Sequence, residues 1–374
     1  MKTRLVVYGV DEYQGALVSR CAAGRGIAHV GAGRDIARVA AHANALASGD
    51  TRIVEPRVFG LGHEGRIAAQ LDDAAVIVNC ATPQGETARP LVDAALATGT
   101  HYVDLCSTGP LVAALMARDA EAMVAGVSLV AGAAFDFAAA DAMAARLATS
   151  LPTARALTLA VKRGGLSHAE ARELVAAVRR RGDIVKNGQF VETEPGERTF
   201  DVDFGAGPEA AAVAPWRGEI VGWRRRGPYS TIESYEVLPP PLARAMKRGG
   251  FAHFLFRRGW GLRALERRLA RDREGPGEAE LARGRAVVWG EALTPDGKVR
   301  RARLETPAPA LYTAEVVLCV ARKLAEGGVA AGFRLPSELG SGGLAEEIEG
   351  VTWREIADAA ETLMPDPVAL AAAR

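Results

Sequence analysis

The stretch Leu5–Arg20, LVVYGVDEYQGALVSR, places glycines and carboxylates at the spacing of a phosphate-binding turn. A glycine-rich turn between a strand and a helix holds a dinucleotide through free backbone N–H groups and the positive end of the helix. Gly9 and Gly15 suit that task, but Asp11 and Glu12 occupy the middle of the turn. Two like charges about 4 Å apart cost on the order of 1 kcal/mol in water and several times more in a partly dry cleft. The turn therefore has the form of a phosphate site and the wrong charge for one.

Two nearby features of the sequence support opposite conclusions about phosphate binding. Asp11 and Gln14 have the spacing of a capping box, which predicts that the chain satisfies the helix N-terminus with its own carboxylate. Arg34 follows the second predicted strand, where NADP-binding proteins use an arginine to hold the 2′-phosphate. An arginine near a strand end is also common as a solvated residue, so both interpretations of Arg34 stay open.

Further polar side chains lie where ligands bind in an open parallel sheet, beyond the carboxyl ends of the strands. The candidate catalytic residues are Tyr13, Tyr102, Asp104 and Asp136, and the candidate cofactor-binding residues are Gly9, Gly15, Arg34 and Thr82. Asp104 and Asp136 would serve equally well as caps of loops or helices. Cys106 lies beside Ser107 without a base at triad spacing, so we interpret it as a buried, unreactive thiol.

The elements that position these residues follow from hydrophobic periodicity. In the first third, apolar runs such as RLVVYG and AAVIVNC alternate with amphipathic helical segments, which is typical of a parallel sheet covered on both faces. Beyond about residue 141, runs such as RTFDVDFG, GEIVGWRRR and KVRRARLET alternate in the manner of strands, and TPDG predicts a hairpin turn. The predicted fold class is α/β, a doubly wound Rossmann-like parallel sheet followed by an α+β domain with a mainly antiparallel sheet. We place the first domain at 1–141 and the second at 142–344, and we expect C-terminal helices in 345–374 to pack back on the first.

Composition narrows the function. The 374 residues include 46 basic and 45 acidic side chains, and the net charge of +1 makes nucleic acid an improbable main partner. The four cysteines are widely spaced, which indicates no metal site and no disulfide framework and predicts a reducing cytoplasm. No apolar run is long enough to span a bilayer, so no stable membrane insertion is expected. Segment 239–274 is basic and carries four aromatic residues; it suits a lid over a greasy pocket or a membrane-surface helix, but an ordinary amphipathic helix pair is favoured.

Five segments in order and spacing carry a family resemblance. VVYGVDEYQGALV, GAGRD, VIVNCATP, HYVDLCSTG and AAFDFAAAD together resemble the saccharopine dehydrogenase-like family, especially its trans-acting enoyl reductase branch. The resemblance covers roughly the first 145 residues. It implies a Rossmann fold, NADP bound at the first turn, reduction of a C=C or C=N bond, and pairing of two copies into a homodimer.

The chain departs from the family pattern at three turns. The family's first turn usually reads G-A-T/S-G-Y/F-T-G; here Glu12 replaces the middle glycine and Asp11 the small residue before it. A Cβ at that glycine obstructs the pyrophosphate. Thr82 puts a side chain where a glycine would let the cofactor lie close, and Ala134 replaces the glycine of the family's G-F-D-S-V-P-S-D segment. These changes suggest that the scaffold remains and hydride transfer does not.

Three functional hypotheses follow. The first is a repurposed reductase that requires no cofactor and promotes the cyclisation or isomerisation, possibly cycloaddition, of a large apolar polyketide-type substrate by holding its reacting ends together. The alternative is a working NADP-dependent reductase, which requires Glu12 to swing into solvent. The third is a non-catalytic binding or scaffold protein, whose cleft would be filled.

Overall fold

A computed structural model describes residues 2, 4–47, 53–164, 168–239, 243, 275–340 and 344–356; at residues 168 and 169 it describes the backbone alone. Nearly all of segment 239–274 and all of 357–374 lie outside the described residues, so the expectations for them stay predictions.

The first sheet has seven parallel strands in the order β15-β6-β5-β4-β1-β2-β3. Its strands are β1 Arg4–Tyr8, β2 His29–Gly33, β3 Val54–Val58, β4 Ala74–Asn79, β5 His101–Asp104, β6 Ser128–Val130 and β15 Gly332–Arg334. The helices of this part are α1 Tyr13–Gly24, α2 Ile36–Ala45, α3 Glu64–Ala69, α4 Gln84–Thr98, α5 Gly109–Met116, α6 Asp119–Ala125 and α7 Phe135–Ser150. The strand order reverses between β1 and β4, which is where a doubly wound sheet opens a crevice for ligands. The predicted Rossmann-like sheet is confirmed.

The second sheet has nine strands and is mixed, mostly antiparallel, with one parallel pair, β7 and β12. Its strands are β7 Ala156–Lys162, β8 Gly182–Lys186, β9 Gln189–Thr193, β10 Thr199–Asp203, β11 Pro208–Val213, β12 Thr231–Glu236, β13 Arg285–Leu293, β14 Val299–Pro307 and β16 Thr352–Ile356. The remaining helices are α8 His168–Ala177, α9 Glu219–Arg226, α10 Glu278–Arg283 and α11 Pro309–Glu326, with 3-10 turns at Pro336–Glu338 and Leu344–Glu347. The predicted hairpin closes β13 onto β14 through a Thr294 N–H bond to the Lys298 carbonyl of 3.0 Å.

Helix α7 lies between the two sheets. Ten of its residues are buried, and it packs against β7, β13 and β14 of the second sheet and against α11. One hydrophobic core therefore runs from the first sheet through α7 into the second sheet. This position brings the N-terminus of α7 to the boundary between the sheets.

The course of the chain after residue 307 differs from the expected division. Helix α11 packs against α1 and β4, and β15 extends the first sheet beside β6, so this stretch of 142–344 returns to the Rossmann-like part. Conversely, Thr352–Ile356 is a strand paired with β14 and not a helix on the first sheet. None of the five residues of TWREI is buried, which suits a strand at the edge of the sheet and explains the difference.

Two local predictions need correction. GEIVGWRRR, predicted as a strand, forms α9, because Ile220 and Trp223 are three residues apart and both face the core. Strand β3 was missed because Pro56 interrupts its pattern; proline is tolerated there since β3 is an edge strand. Among the described residues, no helix is both long and apolar enough to cross a membrane.

Candidate active site

The turn after β1 keeps the backbone of a nucleotide-binding turn. Gly9 has φ +99°, a region that disfavours other residues, and a Cβ there would lie 2.7 Å from the Ala81 N atom. A Cβ at Gly15 would collide with the carbonyl of Gly9. Both glycines are therefore required by the close approach of the β1 turn, the β4 loop and helix α1.

Glu12 reaches from this turn across the crevice to the loop after β4. Its carboxylate accepts hydrogen bonds from the Thr82 backbone N–H at 3.0 Å and from the Thr82 hydroxyl at 2.5 Å. It also accepts a bond of 2.9 Å from the Arg34 guanidinium, which in turn donates to the Thr82 carbonyl at 3.1 Å. The Glu12 side chain is 23% exposed, so these charged contacts are partly shielded from water. The arginine predicted to hold a phosphate is thus paired with a carboxylate of the chain.

Asp11 does not form the predicted capping box. Its carboxylate accepts hydrogen bonds of 3.0 Å from the backbone N–H groups of Arg34 and Asp35, at the start of α2. Gln14 donates to the Ala310 carbonyl at 3.0 Å, and the cap residue of α1 is Glu12 without a side-chain cap bond. A Cβ at Gly33 would lie 2.6 Å from the Asp11 carboxyl carbon, so that glycine makes room for Asp11. The capping-box prediction is wrong because the amides after β2 lie nearer than those of α1.

The fold family implies NADP, and these contacts test whether it fits. Two groups of anion donors face the crevice: the N–H groups after β2, and the Thr82 N–H with Arg34. Asp11 holds the first group and Glu12 the second. In this arrangement neither of these two groups fits a phosphate of the dinucleotide, since a carboxylate of the chain already occupies its donors.

Tyr102 and Asp104, two of the predicted catalytic residues, lie inside the first sheet with no solvent-exposed surface. The Tyr102 hydroxyl donates to Asp104 at 3.2 Å, and the same carboxylate accepts from the N–H groups of Cys106 and Gly132 at 3.1 and 3.2 Å. Burial raises the pKa of Asp104. This network joins the loops after β5 and β6, so its position favours support of those loops over contact with a substrate.

Tyr13 lies at the start of α1 and is half-buried. Its hydroxyl donates to the Pro276 carbonyl at 2.7 Å, and its ring lies against Gly275. Burial raises its pKa to about 12. Tyr13 is therefore neutral at physiological pH and attaches the chain after 274 to the turn.

Asp136 alone among the predicted catalytic residues belongs to a charged centre between the sheets. We name this centre the ion cluster; its members are Asp136, Arg163, Arg217, Glu219 and Glu236. The Arg163 guanidinium lies 2.9 Å from both Asp136 and Glu236. Arg217 lies 2.5 Å from Glu219 and 3.3 Å from Glu236, and also donates to the Asp136 carbonyl. The side chains of Arg217, Glu219 and Glu236 are at most 2% exposed, so these charges are stabilised by one another and not by water.

A small cavity opens beside the ion cluster. Its volume of about 20 Å³ is room for about one water molecule. The lining comprises Ser107, Thr108, Asp136, Arg163, Glu170, Glu173, Leu174, Ala177 and Trp216. We call it the inter-sheet cavity, because α8 and the end of β7 meet the loop after β5 there. It is polar, so the large apolar substrate stays a prediction.

Glu173 lines the mouth of the inter-sheet cavity and is exposed to solvent, while other atoms of its surroundings belong to the cavity lining. Burial in this mouth, together with the carboxylates of Glu170 and Asp136, raises its pKa to about 7. A carboxyl group with such a pKa exchanges a proton readily at neutral pH. Sequence reasoning missed Glu173 because nothing in HAEARELVAA distinguishes it from a solvated helix residue.

Arg163, Arg217 and Glu236 were also missed. They are 19 or more residues apart and lie in loops or at strand ends, so only the folded chain brings them together. The one available signal was a charged residue directly after an apolar strand, as in LTLAVKRGG. Among the described residues no group of His, Cys, Asp and Glu is arranged to hold a metal ion.

Comparison with known proteins adds the following. A scan of protein-family models gives no match, and a search of curated proteins gives none. Among solved structures, the chain is similar to apo saccharopine dehydrogenase (L-Glu forming) from Saccharomyces cerevisiae, with a TM-score of 0.66 and 12% identity over 95% of this chain and 100% of that one. A meso-dapdh mutant from Clostridium tetani has a TM-score of 0.42 and 14% identity over 91% of this chain and 97% of that one.

The second score is too low to carry an argument, and at 12% identity the first establishes the fold without the activity. Coverage of almost the whole of both chains means that the likeness includes the second sheet as well as the Rossmann-like one. With the parallel sheet, the mixed second sheet and the charged centre between them, the chain has a saccharopine dehydrogenase-like fold.

Proposed function

We propose that this protein is an enzyme that works without a nicotinamide cofactor and promotes a non-redox isomerisation or cyclisation of a substrate that meets Glu173 from the solvent side, at the mouth of the inter-sheet cavity. The observation that carries the proposal is the Glu12 carboxylate bound to Thr82 and Arg34. It occupies two donors of the crevice, the Arg34 guanidinium and the Thr82 N–H, and places a negative charge where a phosphate would lie.

The energies involved favour the closed arrangement. A hydrogen bond to a charged group contributes about 1.5–3 kcal/mol. A dinucleotide must therefore break contacts of Glu12 that together cost several kcal/mol before it forms its own. A loss of about 4 kcal/mol converts a micromolar dissociation constant into a millimolar one. At such an affinity the protein would be almost free of cofactor at ordinary nucleotide concentrations.

The inter-sheet cavity supplies groups for proton transfer. With its pKa near 7, Glu173 can remove a proton from one position of a substrate and return it to another, which leaves the oxidation state unchanged. Arg163 is held between Asp136 and Glu236, and its Nε–H has no hydrogen-bond partner among the described residues, so this group can donate to an oxygen that gains negative charge. The polyketide-type substrate remains an expectation from the resemblance to trans-acting enoyl reductases.

A second candidate function is NADP-dependent reduction of a C=C or C=N bond. The fold, shared with a dehydrogenase, favours this candidate over cyclisation, and so do the retained Gly9 and Gly15. The N-terminus of α1 has no side-chain cap, which leaves N–H groups for a phosphate. This candidate requires Glu12 to leave Thr82 and Arg34 when the cofactor arrives.

Titration of the purified protein with NADPH, followed by nicotinamide fluorescence, separates the two candidates. We expect no saturable binding by the wild-type chain in the micromolar range, and tighter binding by Glu12→Gly. Glu12→Gln is the matched control: it removes the charge and keeps the bulk, so its affinity should lie between the two. Saturable micromolar binding by the wild-type protein would overturn the proposal in favour of the reductase.

A further inference from the structure

A larger cavity lies at the opposite end of α7 from the ion cluster. It has a volume of about 720 Å³, within the range of small-molecule sites. The C-terminal end of α7, the start of β7, the loop between α9 and β12, and β16 form its walls. Because α7 has 16 residues, its two ends are about 24 Å apart. We call this space the basal cavity, and it is separate from the inter-sheet cavity.

Aromatic rings form one wall of the basal cavity. Trp223 and Tyr229 meet edge to face, with 6.1 Å between ring centroids. The Arg226 guanidinium lies 4.5 Å from the Trp223 ring centroid, and its Nη1 donates to the Ser337 hydroxyl at 2.7 Å. Stacking and the hydrogen bond hold this cation in place beside the rings.

Arg155 brings a second cation to the same wall. Its Nη1 donates to the Ala154 carbonyl at 2.9 Å, so the guanidinium is held by the backbone. Within the part of the chain that the structure describes, Arg155 and Arg226 donate to oxygens of neutral groups, and the charge of Arg226 acts on the buried Asp141 carboxyl, whose pKa is raised by burial against that opposing charge. Both guanidiniums act on the Tyr229 hydroxyl: burial raises its pKa, and the positive charges of Arg226 and Arg155 oppose that rise. The three groups therefore converge on one region of positive potential.

The third arginine of the basal cavity has a different environment. Arg146 pairs with Glu346 at 3.2 Å and with Glu355 at 3.7 Å, and its guanidinium lies 4.7 Å from the Trp353 ring centroid. Because these two carboxylates compensate the charge of Arg146, this arginine lines the cavity without attracting an anion. Of the three arginines that line the basal cavity, Arg155 and Arg226 are the two without an ion pair among the described residues, and both lie next to the aromatic surface.

We propose that the basal cavity binds an organic anion, a carboxylate, sulfonate or phosphate joined to a planar apolar body. The anion lies between Arg155, Arg226 and the Tyr229 hydroxyl, and the apolar body lies against the rings of Trp223 and Tyr229. A guanidinium is suited to such groups because its planar array of N–H donors matches their oxygens. The proposal does not depend on the function of the inter-sheet cavity.

Fluorescence titration of the full-length protein with anilinonaphthalene sulfonate tests the proposal, because this probe is a planar apolar anion. We expect saturable binding, at least tenfold weaker in the double variant Arg155→Gln, Arg226→Gln. Arg225→Gln is the matched control: Arg225 is an exposed neighbour stacked on Phe333 outside the cavity, so the affinity should not change. N-phenylnaphthylamine, which has the rings without the sulfonate, should bind the wild type at least tenfold more weakly than the sulfonate does.

Two further arms complete the experiment. Competition by inorganic phosphate at millimolar concentration would place the anion at the arginines, whereas competition by an aromatic carboxylate alone would assign most of the affinity to the rings. Tyr229→Phe keeps the ring and removes the hydroxyl, and it should weaken the sulfonate about threefold even if the double variant does not fold. Equal affinity of wild type and a folded double variant, or equal binding of the charged and neutral probes, would overturn the proposal.

Discussion

The Glu12 carboxylate and the Thr82 hydroxyl, seventy residues apart in the chain, form a hydrogen bond of 2.5 Å across the crevice between β1 and β4. This crevice is the position at which an open α/β sheet receives its ligand. The contact therefore links the turn after β1 to the loop after β4, two surfaces that a bound dinucleotide usually contacts together.

Glu12 should contribute to folding as well as to ligand exclusion. Replacement by Gln keeps the shape and removes the charge that Thr82 and Arg34 contact, so we expect Glu12→Gln to lower the free energy of unfolding by about 1–3 kcal/mol. Urea denaturation measures the change. Asp72→Asn, in an exposed turn, is the control and should stay within about 0.5 kcal/mol of wild type. Equal stability of Glu12→Gln and wild type would mean that the contacts of the Glu12 carboxylate with Thr82 and Arg34 do not stabilise the fold.

Glu236 should be much more costly to change. Its carboxylate is fully buried and contacts both Arg163 and Arg217, so Glu236→Gln loses two charged contacts, each of which contributes about 1.5–3 kcal/mol. Asp136 and Glu219 still pair with the two arginines, so we expect the unfolding free energy to fall by the sum of the two lost contacts, about 3 kcal/mol or more. Glu192→Gln, which breaks the exposed pair with Arg181, is the matched control and should cost about 1 kcal/mol or less. A small loss at Glu236 would show that its charge is compensated from elsewhere.

Glu173 predicts a pH dependence of stability. Its pKa rises from 4.5 in the unfolded chain to about 7 in the folded protein, so the folded state binds more protons between these values. Stability contributed at Glu173 is therefore lost as the pH rises from about 4.5 to about 7. Thermal unfolding of Glu173→Gln should show a higher melting temperature than wild type at pH 8, and no gain at pH 4.5. A variant with the same difference at both pH values would refute the raised pKa.

His42 predicts a dependence of opposite sign. It donates to Ser19 at 2.8 Å, and Ser19 bonds to His29 at 2.7 Å, inside the packing of α1 and β2. Burial lowers the pKa of His42 from 6.5 to about 4, so the unfolded state binds more protons between these values. Stability is therefore lost as the pH falls from about 6.5 to about 4.

Comparison of two histidine variants checks this dependence. His42→Gln keeps a hydrogen-bond donor toward Ser19 and cannot become charged, so its melting temperature should fall less than that of wild type between pH 6.5 and 4.5. His63→Gln, at an exposed position, should follow the wild-type profile. If both variants behave alike, titration of His42 does not control acid stability.

Much of the fold could be predicted because its signals are local. Apolar runs such as AAVIVN are buried at every position of β4, as a strand covered on both faces requires. Prediction failed where the local signal was weak or misleading. Pro56 interrupts the pattern of the edge strand β3, so this strand was not predicted. The segment that forms α9 was predicted as a strand, although Ile220 and Trp223 have helical spacing. The strand at 352–356 depends on its pairing with β14, about fifty residues earlier in the chain.

For the candidate site, too, the residues of the crevice could be predicted from local sequence and their contacts could not. Gly9, Gly15, Arg34, Thr82 and Glu12 could be assigned to one crevice from sequence, since each follows a strand of the parallel sheet. Their hydrogen-bond partners could not be assigned, and the capping box proposed for Asp11 was wrong for that reason.

The sequence by itself determined the parallel sheet, the glycine turn and the presence of two carboxylates within that turn, because periodicity and residue type are properties of neighbouring positions. Only the tertiary structure decided which donors those carboxylates bind, and that Arg163, Arg217 and Glu236 meet Asp136. The physical reason is that a charge selects its partner by distance and burial, and both are set by how the two sheets pack around α7.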